Sequence, residues 1–224
     1  MDIEKFQQIH LQIPSPLHEI HDPLWTEQNI RIFIKRDDLI HPIISGNKWR
    51  KLKEYIRLAQ QTPDYYLLSF GGAFSNHLYS LAYVGYVMGI KTIGIIRGEE
   101  LNIQSNPYLI QMNHWGMNLH FISRDAYRKK EIPTQLGENK FIVIPEGGYG
   151  TLGLKGMKEL SSEIMQEIKP DYLITALGTG TTALGLIQSY NNKTIGILTL
   201  KNKKEIEEHI IEHAVNAEKL DLHT

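Results

Sequence analysis

Cysteine is absent from the chain. That excludes a disulfide framework, a thiolate nucleophile and thiolate metal sites, and it fits a reducing compartment. An excess of charge of either sign is also missing. Lys and Arg number 24 against 25 Asp and Glu, a formal net charge of -1. Nothing therefore draws the chain electrostatically to nucleic acid or to an anionic membrane. No apolar run approaches the length of a membrane span. The first residues, Met1-Asp2-Ile3-Glu4-Lys5, are too polar for a signal peptide. These absences point to a cytoplasmic protein. Repeats, low-complexity tracts and flexible linkers are missing as well. What remains is 224 residues, 42% hydrophobic and 22% charged. Such a chain can bury a core as one large domain or two small ones.

The stretch Ile44-Ser45-Gly46-Asn47-Lys48-Trp49-Arg50-Lys51 organises the rest. Before it, Ile30, Ile32 and Ile34 alternate with other residues in an extended segment, and His41-Pro42 breaks the chain. After it, Trp49, Leu52, Tyr55, Ile56 and Ala59 recur at helical spacing, with Ser45 as the expected N-cap. Lys48 thus falls in the first turn of a helix, where the dipole disfavours a cation. That field lowers the amine pKa and raises the share of nucleophilic amine, which Schiff-base chemistry requires. The plain alternative is that Lys48 is one of several solvated lysines in 47–53.

Strand and helix patterns alternate along most of the chain. Residues 1–29 read as irregular, broken by prolines. Strands are expected at 65–70, 91–96, 118–122, 140–145, 171–176 and 194–199. Helices are expected at 74–88, from Pro107 to Gly116, and at 124–131, 152–168, 181–189 and 203–217. This order predicts an α/β fold with parallel sheet.

Three loops follow expected strands and open expected helices: Gly71-Gly72-Ala73-Phe74-Ser75-Asn76-His77, Glu146-Gly147-Gly148-Tyr149-Gly150 and Gly178-Thr179-Gly180-Thr181-Thr182. Parallel sheets bind ligands at the carboxyl ends of their strands, where such loops gather. The third loop is the best anion cradle, with converging amides, threonine hydroxyls and a helix N-terminus. It lacks the lysine of a Walker loop. Its loose dinucleotide pattern, Gly178-x-Gly180-x-x-Ala183, lacks the acid after the next strand, which runs into Thr199-Leu200-Lys201. A glycine turn without ligand is the plain alternative. For Ser75 and Asn76 the plain alternative is N-capping, and for Glu146 it is capping a turn. The pair His209 and His213, in a His-x-x-Glu-His pattern with Glu212, could bind zinc, but the helix is highly charged and no third ligand follows. Surface histidines are the simpler account, and no metal is expected.

Five motifs occur in one order: Lys35-Arg36-Asp37-Asp38-Leu39, Ser45-Gly46-Asn47-Lys48-x-Arg50-Lys51-Leu52, Gly71-Gly72-x-x-Ser75-Asn76-His77, Pro145-Glu146-Gly147-Gly148 and Gly178-Thr179-Gly180-Thr181-Thr182. Together they resemble the 1-aminocyclopropane-1-carboxylate deaminase / D-cysteine desulfhydrase family. That family belongs to the pyridoxal-phosphate enzymes with the tryptophan-synthase-β-like fold (fold type II). The resemblance runs from about Asn29 to Ala183.

The resemblance implies two lobes of open parallel sheet with helices on both faces. The larger would hold 1–55 and 149–224, the smaller 56–148, with pyridoxal 5'-phosphate between them. Lys48 would hold the cofactor as an internal aldimine and later shuttle protons. Asn76 would bond the ring hydroxylate oxygen. Ser75 would lie near the substrate carboxylate or amine and relay a proton, with His77 beside it. Gly178, Thr179, Gly180, Thr181 and Thr182 would cradle the phosphate, and Lys51, one turn from Lys48, would add charge. The implied reaction opens or β-eliminates a small amino acid, 1-aminocyclopropane-1-carboxylate or D-cysteine. Products would be a 2-oxo acid and ammonia, with sulfide from D-cysteine. The family expectation is a homodimer. Family members continue for several elements past the point matching Thr224, and that part normally supplies the partner of the pyridine nitrogen. The expectation here is a C-terminally short large lobe with exposed apolar surface, low stability, or burial against another subunit.

Overall fold

The computed structural model describes residues 9–190, 193–199 and 217–223. It opens with an antiparallel pair, β1 (Leu17–Ile20) and β2 (Ile32–Lys35), joined through a short helix, α1 (Pro23–Thr26). The irregular stretch expected over 1–29 therefore contains a strand. Four residues flanked by prolines are too short for periodicity to register.

Helix α2 (Lys48–Gln61) follows. Its N-cap is Asn47, not Ser45, and no side chain caps it. Trp49, Leu52, Tyr55, Ile56 and Ala59 are buried as their spacing requires. So are Arg50, Lys51, Lys53 and Glu54. The account of a solvated lysine face is thus wrong for Lys51 and Lys53, each 5% exposed. The reason is tertiary. Gly156 of α6 (Thr151–Glu167) lies so close that a Cβ there would sit 1.7 Å from the Arg50 carbonyl oxygen. Only a residue without a side chain permits that approach. Helix α2 also runs through the expected lobe boundary at residue 55, and its apolar face joins the core around Leu67, Leu78 and Ile144.

The central sheet holds β3 (Tyr66–Gly71), β4 (Thr92–Arg97), β5 (Asn118–Ile122) and β6 (Phe141–Ile144), in the order β5-β4-β3-β6, all parallel. Leu67 to Gly71 are buried in sequence, as a strand covered on both faces demands. One face meets α3 (Asn76–Met88) and α4 (Pro107–His114). The other carries Phe70, Ile93 and Ile95 against Tyr127 of α5 (Arg124–Arg128). From β3 the chain first adds β4 and β5 on one side, then returns to place β6 on the other. The gap between β3 and β6 is therefore the topological switch point, where open sheets bind ligands.

A second parallel sheet runs β7 (Tyr172–Leu177), β8 (Lys193–Leu198), β9 (Leu220–His223). Strand β9 was not expected from the sequence. One face packs on α6 and α7 (Thr181–Ser189) through Leu177, Leu184 and Ile187. The other leaves Tyr172, Ile174 and Ile197 exposed by 55%, 67% and 39%. That is the open apolar surface expected for this part. The helix expected at 203–217 and the pair His209 and His213 lie outside the described residues, apart from a short 3-10 turn, Ala217–Lys219.

An ion network ties these parts together. Arg50, 1% exposed, donates from Nε and Nη2 to both oxygens of Asp37 at 2.8 and 2.9 Å. It also donates from Nη1 and Nη2 to Glu163 of α6, each at 2.8 Å. Lys35 reaches Glu163 at 3.2 Å, and Ser15 donates to Asp37 at 2.7 Å. Two carboxylates thus balance two cations, which is what burial of charge requires.

Candidate active site

Lys48 is the first residue of α2. Its Nζ donates to Asn47 Oδ1 at 2.8 Å, and Asn47 Nδ2 donates to Thr182 Oγ1 at 2.7 Å. One amide therefore links the amine to the threonine–glycine loop, 135 residues away in sequence. Burial holds the Lys48 pKa below its ordinary value. The direction is the one expected from the helix start, and desolvation is its cause.

The loop after β7 turns at Gly180, whose φ of 76° is left-handed and suits glycine. Thr179 and Thr181 exchange a hydroxyl bond at 2.9 Å, and Thr181 is fully buried. Gly178 has nothing within 4 Å of a Cβ position, so its surroundings are open.

The loop after β6 is the hub. A Cβ on Gly147 would meet Thr179 Cγ2 at 2.8 Å. A Cβ on Gly148 would meet Lys51 Cβ at 2.9 Å and His77 Cε1 at 3.4 Å. Both glycines have positive φ, 70° and 75°. Tyr55 fastens the same loop by donating to the Tyr149 carbonyl at 2.8 Å. The sequence pattern marked these glycines but not their place between three other site segments.

The loop after β3 is tight. Ser75 caps α3, its Oγ accepting from the Leu78 amide at 3.2 Å. The capping alternative therefore accounts for its present bond. Asn76 is exposed and Ser75 half-buried, and no bond joins either to Lys48. His77 is different. Its ring is 4% exposed, and its Nε2 lies 2.9 Å from Ser69 Oγ in the middle of β3. The ring faces the interior, so it does not stand with Ser75 and Asn76 on the accessible side.

Lys48, Lys51 and His77 are three bases without a carboxylate partner among the described residues. Lys51 is pushed down to about 7 by burial and then by the charge of Lys48. His77 is pushed down to about 3 by burial and then by Lys51 and Lys48. Buried bases that depress one another are poised for an anion. Among the described residues no group of His, Asp and Glu is arranged to hold a metal.

Sequence reasoning missed Asn47 and Ser69. Asn47 stands beside Lys48, and Ser69 is a lone hydroxyl inside an apolar strand. Each was a signal in plain view, but only the fold shows what it touches.

Comparison with known proteins agrees with this geometry. The family model described as pyridoxal-phosphate dependent enzyme matches residues 10–206. A putative 1-aminocyclopropane-1-carboxylate deaminase of Thermotoga maritima is 30% identical over 206 residues, 84% of this chain and 65% of the relative. A bifunctional D-cysteine desulfhydrase/1-aminocyclopropane-1-carboxylate deaminase of Arabidopsis thaliana is 29% identical over 195 residues, 78% of this chain and 48% of the relative. The chain thus spans about half to two thirds of the length of these relatives. Among solved structures, an ACC deaminase homologue superposes with a TM-score of 0.72 at 20% identity, covering 100% of this chain and 75% of that one. Threonine deaminase isoform 2 of Solanum lycopersicum superposes at 0.66 with 16% identity, covering 99% and 62%.

The donor set fits pyridoxal 5'-phosphate, the family's cofactor. Carbonyl capture needs an amine with a lowered pKa, and Lys48 has one. A phosphate needs hydroxyls, amides and uncompensated positive charge, and 178–182 with Lys51 offers them. The residues, the type II fold and the family match lead to one place: the chain belongs to the pyridoxal-phosphate dependent enzymes and is related to those named 1-aminocyclopropane-1-carboxylate deaminase and D-cysteine desulfhydrase.

Proposed function

We propose that the chain carries the cofactor-binding part of a pyridoxal-phosphate-dependent deaminase acting on a small amino acid. The candidate substrates are D-cysteine and 1-aminocyclopropane-1-carboxylate, named for its relatives. Products are a 2-oxo acid and ammonia, with sulfide from D-cysteine. The observation that carries the reading is the bonded line Lys48–Asn47–Thr182, which couples a half-buried amine to a threonine–glycine anion cradle.

Bound pyridoxal phosphate supplies an electron sink for negative charge on the carbon beside the substrate amine. The chain's own residues do the rest. Lys48, its pKa lowered by burial, would offer the amine for covalent attachment, and Asn47 would aim it. The same amine would take and return a proton at the substrate. Thr179, Thr181, Thr182 and the amides of 178–182 would hold the phosphate, with Lys51 adding positive charge. Ser75 and Asn76, on the accessible end of α3, receive the substrate carboxylate and the cofactor ring oxygen. As part of this reading, one lobe holds 1–55 with 149–224 and the other 56–148, α2 forms a wall between them, and the active unit is a homodimer.

The test is direct. Purified protein is mixed with pyridoxal phosphate, reduced with borohydride and mapped by mass. The label belongs on Lys48. Pyruvate release from D-cysteine and 2-oxobutyrate release from 1-aminocyclopropane-1-carboxylate are then assayed. Label elsewhere sinks the site. Label on Lys48 with release from neither substrate makes this a cofactor-binding chain without that turnover. Light scattering checks the dimer.

A further inference from the structure

The buried ring of His77 has a function that neither capping nor packing explains. Ser69 Oγ carries one hydrogen, and it donates that hydrogen to the Ile144 carbonyl of β6 at 2.8 Å. Toward His77 Nε2, at 2.9 Å, the hydroxyl can then only accept. Nε2 must therefore carry the ring proton, which leaves Nδ1 as a bare acceptor. Nδ1 is buried and has no partner. Orphaned buried acceptors are uncommon and call for a cause. The groups facing the ring are Lys48 and Lys51, both from α2, so the ring has every electrostatic reason to stay neutral. Lys51 has no hydrogen-bond or ion-pair partner for its amine among the described residues. The two side chains flank one glycine. Lys51 Cδ and His77 Cε1, the ring carbon between Nδ1 and Nε2, each lie 3.4 Å from the Cβ position of Gly148. A donor without an acceptor and an acceptor without a donor thus flank one glycine of the loop after β6.

We propose that His77 is a positioning residue: Ser69 locks its ring as the Nε2–H tautomer, and the bare Nδ1, without a partner in the anion-free chain, accepts a hydrogen bond from Lys51 once an anion is bound and steers that amine toward it. Strand β3, strand β6, helix α3 and helix α2 are thereby coupled through one imidazole. The Ile144 carbonyl orients Ser69, Ser69 orients His77, and His77 orients Lys51. The inference rests on the cofactor reading for what Lys51 is held against, whereas the lock belongs to the cofactor-free chain. Other protonation states of the ring would fail. A protonated imidazole would repel both lysines, and an Nδ1–H tautomer would set two donors against each other.

Long-range 15N–1H spectra of the full chain, labelled in histidine, read the tautomer. His77 is assigned by the signal that vanishes in His77→Gln. The expected ring is neutral, with Nε2 protonated, between about pH 5 and pH 8. Inorganic phosphate should move the Nδ1 shift in the direction of hydrogen-bond acceptance, and Lys51→Met should remove that movement. Ser69→Ala should abolish the tautomer preference, and Ser69→Thr should keep it. His77→Leu should weaken pyridoxal phosphate binding about tenfold, as loss of a charge-assisted bond does, while His77→Gln, which keeps an acceptor, should bind like the parent. A ring protonated on Nδ1 in the parent chain overturns the proposal. So does a phosphate-dependent shift that survives Lys51→Met, or no shift at all, even where pyridoxal phosphate colours the protein. A colourless protein with the locked tautomer and the Lys51-dependent shift sinks the cofactor reading instead.

Discussion

Helix α2 carries two kinds of buried cation within one turn. Arg50 points to the hairpin and α6, where Asp37 and Glu163 neutralise it and five donated bonds, one of them to Ser15, satisfy its guanidinium. Burial alone would lower its pKa, yet the bonds to Glu163 and Asp37 raise it above the ordinary arginine value. Lys48 and Lys51 point to the switch point of the central sheet, and there no carboxylate meets them among the described residues. Their pKa values fall. The difference teaches how to tell structure from function in neighbouring charges. A buried charge whose partners come with the fold holds the fold together. A buried charge whose partner does not come with the fold is set for a ligand.

The comparison is broken most sharply at Lys48. Lys48→Ala should eliminate the borohydride-fixed adduct altogether while leaving the thermal transition near that of the parent, measured without cofactor. A large fall in stability would put Lys48 in the same class as Arg50. Arg50→Leu should do the opposite. It strands Asp37 and Glu163, and loss of one partner from a buried network costs about 3–5 kcal/mol. Urea unfolding measures it, and a change within experimental error would show that the network is not a structural unit.

Gly156→Ala comes next. The added methyl collides with the Arg50 carbonyl, and forcing a core apart costs about 1–3 kcal/mol. A variant as stable as the parent would show that α2 and α6 can separate without cost.

Lys51→Met sharpens the contrast by moving stability and binding in opposite directions. Pyridoxal phosphate affinity should fall about tenfold, the value of one charge-assisted bond. Stability of the cofactor-free chain at neutral pH should rise. The sign follows from linkage. A base whose folded pKa is lowered, here from 10.5 to about 7, costs stability as pH falls through that interval, because the unfolded chain takes up the proton first. Removing the amine removes that cost. A parallel fall of stability and affinity would refute the reading of Lys51 as an unpaired charge.

The smallest effect is on the acid side. Burial opposes ionisation of Glu163, but its bonds to Arg50 and then to Lys35 hold its pKa below the ordinary 4.5. A lowered carboxylate stabilises the fold above 4.5 and loses that contribution as pH falls through the depressed value. Unfolding free energy should therefore drop below about pH 4.5 in the parent, and the drop should be shallower in Glu163→Gln. Equal slopes would show that Glu163 is not held by the network.

Much of this was readable before any fold was seen. The alternation of strand and helix patterns, the glycine loops after strands and the lysine at a helix start are local features, and local features are written in short windows of sequence. What escaped has a common cause. β1 is four residues among prolines, below the length at which alternation is visible. The burial of Lys51 and Lys53 could not be seen because charged residues on a helix read as a solvated face until α6 is laid against Lys53 and the loop after β6 against Lys51. Asn47, Ser69 and Glu163 act through partners 135, 75 and 113 residues distant, and no window spans that separation.

By itself the sequence determined the parts: an α/β chain without thiols, an amine at a helix start, and three loops able to fold around an anion. Tertiary structure decided which charges those parts would leave unpaired. The physical reason is that desolvation and long-range hydrogen bonds are properties of a place, not of a residue. Arg50 and Lys51 are neighbours in the chain, and only the elements packed around them give one its carboxylate partners and leave the other without one among the described residues.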